Sequence, residues 1–245
     1  MTAPASLFEA LEPLLAQVAK PIQYVGGEVN SVHKAWDSTE VRWVLMYPDL
    51  YEVGQPNQGT AILYEVLNEL EWVMAERTFS AAPDLAALMR QAGVPQFTLE
   101  NHLPVSAFDV IGVSFATELG YTNLLEALDL AGVPLHAAER GDDDPLVIGG
   151  GHAMYNPEPM AAFLDAAVLG DGEQVSVAIA SIVRRWKSGG RPGGREGLLK
   201  QLAFTGEVYV PSFYDVTYVP DGRISSVTPN RPGVPKRVRK NTLMD

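Results

Sequence analysis

Short apolar runs alternate along the chain with longer stretches of helical period. Val41-Arg42-Trp43-Val44-Leu45-Met46-Tyr47 is almost continuously apolar and stops at Pro48-Asp49. Such a run suits a strand covered on both faces. A polar loop over 49–58 leads to a helix with apolar positions Ile62, Leu63, Val66, Leu67 and Leu70, one face of a 3.6-residue period. Glu71–Thr78 follows as a strand, and Pro83–Gln91 as a helix closed by Gly93. The cycle repeats with a strand at Phe108–Ser114 and a helix at Leu119–Ala131, ended by Gly132. Val133–Ala137 is a weaker candidate strand and Pro145–Ile148 a stronger one. A short helix over 157–163, a buried strand at Asp165–Leu169 and a helix over Glu173–Lys187 complete the series. Strands that alternate with amphipathic helices, with no hairpin signal between them, predict a parallel, doubly wound α/β sheet.

The ends of the chain differ from this middle. Leucines at 7, 11, 14 and 15 predict a helix within Ser6–Ala19, bent or broken at Pro13. Lys20–Glu28 then reads as an extended arm with a Gly26-Gly27 turn. Ser188–Gly197 holds five glycines and one proline and reads as a flexible connection, with a helical turn at Leu198–Phe204. Val208–Val210, Tyr214–Val219 and Arg223–Val227 predict short antiparallel strands, the last two paired through Pro220-Asp221-Gly222. The expected organisation is an N-terminal arm (1–40), the α/β domain (41–187), a connection (188–204) and a β appendage with a strap (205–245).

Composition narrows the function classes. The 245 residues contain no cysteine, so this chain supplies no disulfide, thiolate metal site or iron–sulfur ligand. No apolar run reaches the roughly 18 residues that cross a membrane, and the start has no basic-then-apolar leader pattern. A cytoplasmic location is the expectation. The net charge of −12 opposes general nucleic-acid binding, which needs a basic surface. Over 223–245 the balance reverses: Arg223, Arg231, Lys236, Arg237, Arg239 and Lys240 face a single acid, Asp245. This basic end reads as a solvated linker or a docking strap.

Ligands of open α/β sheets sit beyond the C-terminal ends of the strands. Three segments fall there: 49–59, Ser114-Phe115-Ala116-Thr117 and Gly149-Gly150-Gly151-His152. Their order and spacing resemble the cobalamin-binding fold, a flavodoxin-like arrangement marked by Asp-x-His-x-x-Gly after the first strand and a further glycine five residues on. In that fold a serine turn follows a middle strand and a Gly-Gly loop follows the fourth. Asp49, Gly54, Gly59, Ser114, Gly149 and Gly150 match; Tyr51 stands where the histidine belongs. Glycines suit places where backbone touches a ligand tail, and a serine hydroxyl can bond to a base nitrogen. A phenol is a poor neutral cobalt ligand.

Tyr24–Glu28, Tyr47–Gly54, Glu118–Asn123, Asn156–Pro159 and Gly170–Glu173 extend the resemblance over about 14–245. They are similar to the N-terminal half of bacterial radical SAM proteins with a fused B12-binding-type domain. The resemblance implies a module that holds cobalamin base-off without a histidine ligand. The candidate contacts are Asp49, Tyr51, Gly54, Gly59, Ser114, Phe115, Gly149, Gly150, Gly151, Gly172 and Glu173. The 4Fe–4S cluster and S-adenosylmethionine would belong to a barrel outside this chain, joined in cis or as a separate chain, with the parent protein a radical SAM enzyme of methyltransferase-like type. A rival reading is a structural or substrate-docking domain that has lost the corrin, with Tyr51 removing the ligand and Phe115 filling the tail slot. His152 reads as a loop residue rather than a cobalt ligand. Glu158 and Glu173 lie at helix starts, where acids complement the helix dipole. No metal-ligand spacing, nucleophile elbow or P-loop is present, so catalysis by the chain alone is not expected.

Overall fold

The computed structural model describes residues 3–243. In chain order it contains α1 (Phe8–Leu15), β1 (Val41–Tyr47), α2 (Tyr51–Gly54), α3 (Gln58–Asn68), β2 (Val73–Phe79), α4 (Pro83–Ala92), β3 (Val110–Ser114) and α5 (Tyr121–Ala131). There follow β4 (Leu146–Gly150), β5 (Ala166–Val168), α6 (Glu173–Ser188), α7 (Gly194–Ala203), β6 (Val208–Tyr209), β7 (Tyr214–Tyr218) and β8 (Ile224–Pro229). The main sheet has the order β2-β1-β3-β4-β5-β6, parallel except for β6. This is the flavodoxin-like, doubly wound order, whose direction of winding reverses between β1 and β3.

Helices α3 and α6 pack against each other on one side, and α4 meets α5 on the other. Burial on both faces explains why the central strands read as continuous apolar runs: Val44, Val110, Ile111 and Val147 are fully buried. α1 joins the α4–α5 side through a second core in which Leu11 and Leu15 meet Leu85, Met89 and Leu130. Gly93 and Gly132 end α4 and α5 in left-handed conformations, the caps that the sequence predicts.

Four expectations need correction. The arm after α1 is a 3-10 turn over Pro21–Tyr24. Its glycines follow at positive φ. Val133–Ala137 forms no strand; it runs from the cap of α5 into a turn. The glycine-rich connection is pinned rather than free. Arg191 bonds to Asp143 at 2.6 Å, Arg195 reaches Asp165, and the second half of the segment is already α7. Finally, Val208–Tyr209 leaves the hairpin alone and pairs antiparallel with β5, so the appendage sheet contains only β7 and β8. The strap returns to the main sheet. Arg239 N–H donates to the Gly206 carbonyl at 2.8 Å, and Asn241 N–H to that of Leu169 at 2.7 Å.

Beside the edge strand, Glu76 is fully buried on β2 and accepts a hydrogen bond from Asn101 at 2.5 Å. Burial raises its carboxyl above the usual range, although bonds from Thr98 and Asn101 and the nearby His33 oppose the shift. Burial also lifts Glu100, to about 7, but Arg77 donates to that carboxylate from both its side chain and its backbone, each at 2.7 Å. Glu76 has no such arginine, and its Oε2 is buried without a partner among the described residues. A raised folded-state pKa gives stability that is complete below the unfolded value and is lost as pH rises through the folded one. Glu76→Gln is therefore expected to be more stable than the parent at pH 8, with the gap closing as pH falls toward 4. Urea midpoints at pH 4.5 and pH 8 check this; a gap that widens toward acid contradicts it.

Candidate functional site

A cavity of about 320 Å³ opens at the C-terminal edge of the sheet, between its α3–α6 face and those two helices. Its origin lies in register. Leu45 faces Gly112, Gly112 faces Ile148, and Ser114 faces Gly150. Alternate residues of a strand share a face, so Gly112, Ser114 and Gly150 leave the same face short of side chains. All three line the cavity, with Leu63 of α3 and Ser176 and Ile179 of α6. A volume of this size lies at the lower end of small-molecule clefts, and its place beside the β1/β3 reversal is where such folds bind ligands.

The inner end is set by Trp43. Its indole lies over Gly112, where a methyl group would collide with Nε1. Trp43 is 3 % exposed, and its Nε1 donor has no hydrogen-bond partner among the described residues. A buried donor without an acceptor is uncommon and calls for one.

The mouth is polar. Asn57 caps α3 by accepting from Thr60 N–H at 2.9 Å. Thr60 Oγ1 reaches the Ser114 hydroxyl at 3.4 Å, leaving the Ser114 O–H available to an acceptor in the cavity. Gly59 sits in the first turn of α3; Gly172 and Glu173 begin α6. Glu173 and Asp171 are acidic, and no lysine or arginine is among the lining residues. His152 lies at the rim, edge-on to Tyr155 at 6.3 Å.

Of the residues singled out by sequence, Gly59, Ser114, Gly149, Gly150, Gly151, Gly172 and Glu173 come together around this cavity. Their individual demands differ. Gly150 bounds open space, since a Cβ there would approach nothing closer than Val113 O at 3.9 Å. Gly151, at φ +94°, lies against the Phe115 backbone, and a Cβ would come within 2.5 Å of Phe115 O. At Gly151 only glycine fits both the φ and the close approach.

Asp49, Tyr51, Gly54 and Phe115 are not among the lining residues. Asp49 accepts from Leu50 N–H at 2.7 Å, a local turn bond. Tyr51 meets Phe79 edge-on at 5.4 Å; burial, and then the nearby Glu28, raise its phenol pKa. Gly54 is buried where a Cβ would lie 2.5 Å from Phe79 and 2.9 Å from Tyr47, so close packing of α2 explains it. The Phe115 ring is buried against Tyr121 at 5.2 Å. Its backbone joins the two mouth loops, accepting from Ala153 and donating to Gly150 O at 2.8 Å. Phe115 therefore supports the rim and does not fill the slot.

Sequence reasoning missed Trp43, Asn57 and Gly112. The glycine inside Val-Ile-Gly-Val-Ser was the available signal, because a strand glycine marks a close approach. Among the described residues, no cluster of three or more His, Cys, Asp or Glu is placed to hold a metal ion, and no helix is long and apolar enough to cross a membrane.

Fold and cavity together define a doubly wound α/β module with a hollow at its switch point. Residues 59–211, more than half of the chain, match the family described as "Radical SAM proteins, N-terminal". The chain belongs to that family. Neither a curated protein nor a solved structure matches it.

Proposed function

We propose that this chain is the corrinoid-holding module of a radical SAM protein, with the slot between the sheet and α3–α6 taking the nucleotide tail of cobalamin. The observation that carries this reading is the hollow left by Gly112, Ser114 and Gly150 at the strand ends. The residues suit such a tail in three respects. The slot is walled by apolar side chains, Leu45, Leu63, Ile148 and Ile179, as a flat base requires. The Ser114 hydroxyl lines the slot with its proton uncommitted to any protein acceptor. The absence of lining cations beside Asp171 and Glu173 disfavours a nucleoside polyphosphate more than a tail with a single phosphodiester.

Gly59, Gly150 and Gly172 would let the backbone approach the tail, and Ser114 would donate to its base. Tyr51 offers a phenol, a poor neutral cobalt ligand, so the corrin would be held base-off with no histidine ligand from that position. A corrinoid can carry a methyl group, and that chemistry belongs to the cofactor. A barrel carrying the 4Fe–4S cluster and S-adenosylmethionine, in cis or as a separate chain, is the partner this reading requires.

The test is to mix purified protein with hydroxocobalamin, remove free corrin on a desalting column and record the spectrum. Retention with a base-off spectrum supports the module. A folded protein that emerges colourless favours a docking domain that has lost the corrin. Phe115 no longer supports that rival, because its ring lies outside the slot.

A further inference from the structure

One side of the slot, formed by Gly170, Asp171, Gly172 and Glu173, joins the end of β5 to the start of α6. This side is tied to the strap. Asn241 N–H donates to the Leu169 carbonyl at 2.7 Å, and Asp171 N–H donates to the Asn241 carbonyl at 3.1 Å. Gly170 and Asn241 thus form a parallel bridge that prolongs the sheet beyond β5. The Asn241 side chain spans two strands, donating to Leu169 O at 3.2 Å and to Glu207 O, just before β6, at 3.0 Å. Leu243 N–H donates to the Asp171 carboxylate at 2.9 Å. Gly170, at φ +95°, passes so close that a Cβ would lie 2.1 Å from Asn241 O. The strap itself is held shallowly. Val234 is buried and Val238 half-buried, but Arg239, Lys240, Thr242 and Leu243 are exposed. A segment with few buried apolar contacts opens at a free energy well below that of global unfolding. Opening this one strips Leu169 and Asp171 of bonds that hold the side of the slot.

Resting on the corrinoid reading, we propose that Asn241 positions this side of the slot, so that strap docking and corrinoid binding reinforce each other. Asn241 is not among the residues that line the slot; it acts through Leu169 and Asp171. A tail seated against 170–173 favours the arrangement that the docked strap maintains. By linkage, the factor by which docking improves affinity equals the factor by which the ligand favours docking.

Limited trypsin digestion of the full chain reads docking, because Arg239 and Lys240 lie within the bonded stretch. Cleavage there proceeds through the open strap and follows its population. Saturating hydroxocobalamin is expected to slow cleavage after these two residues about tenfold, a coupling of ordinary size. Cleavage after Arg223, exposed between β7 and β8, is expected to be unchanged. Asn241→Asp keeps the side-chain shape and removes both of its N–H donors. It is expected to bind hydroxocobalamin about tenfold more weakly and to lose most of the protection. Retention of corrinoid by the parent with no slowing of strap cleavage overturns the coupling and leaves the slot intact. An Asn241→Asp chain that keeps both affinity and protection overturns the role of Asn241. Failure of the parent to retain hydroxocobalamin overturns the corrinoid reading itself, and this inference with it.

Discussion

Gly150→Leu is expected to fold like the parent and to retain roughly 100-fold less corrinoid. Gly150 ends β4 opposite Ser114, on the hollowed face. A Cβ built there meets nothing closer than 3.9 Å, and its φ is not one that demands glycine. Additional carbon atoms therefore enter the slot rather than the core. Overpacking an occupied site by a side chain of this size costs about 1–3 kcal/mol or more, which corresponds to the loss expected. The variant separates ligand space from stability, because most neighbouring glycines cannot do so. Substitution at Gly149 collides with Met154 and Leu164, at Gly151 with the Phe115 backbone, and at Gly112 with Trp43. Thermal unfolding without ligand should leave Gly150→Leu close to the parent, while dialysis against hydroxocobalamin shows the loss. Undiminished binding would place the tail elsewhere.

The largest effect on stability is expected at Asp165. This carboxylate is 3 % exposed and lies immediately before β5. Its Oδ2 accepts from Arg140 at 2.8 Å, from Arg195 at 2.9 Å and from the Val147 N–H of β4 at 2.8 Å. The Arg140 guanidinium is itself enclosed, and its remaining N–H groups donate to the carbonyls of Pro134, Leu135 and Phe163. Burial draws the Arg140 pKa down and Asp165 opposes that shift. Asp165→Ala leaves two arginines facing an empty position and removes a β4–β5 link. Breaking such a buried pair costs about 3–5 kcal/mol, or a fall in Tm of roughly 10 °C for a chain of this length. A calorimetric scan decides it. A change below about 1 kcal/mol, the level of an exposed ion pair, would show that solvent reaches the network.

Much of the fold was legible in the sequence because two-sided burial leaves a direct mark. Runs such as Val41–Tyr47 have few other uses, and Gly93 and Gly132 mark helix ends by backbone conformation alone. What escaped depended on partners remote in sequence. A two-residue strand such as Val208–Tyr209 does not state which sheet it joins. The segment over 188–197 looks free until Arg191 and Arg195 find Asp143 and Asp165. The candidate site divides in the same way. Glycine spacing located Gly59, Gly150 and Gly172. It gave Gly54 the same weight, although Gly54 serves packing against Phe79 and Tyr47. Phe115 looked like an obstruction because sequence gives its bulk and not its direction. The facing of Trp43 and Gly112 is a property of strand register, visible only once β1 and β3 are side by side.

The central claim is that the slot holds the nucleotide tail, and comparing a corrinoid with and without that tail tests it most directly. The measurement is equilibrium dialysis of the purified chain against hydroxocobalamin and against cobinamide, which shares the corrin ring and lacks the nucleotide. Hydroxocobalamin retained base-off, with cobinamide held far more weakly, is the predicted result. Equal retention of the two, or retention of neither, would contradict it.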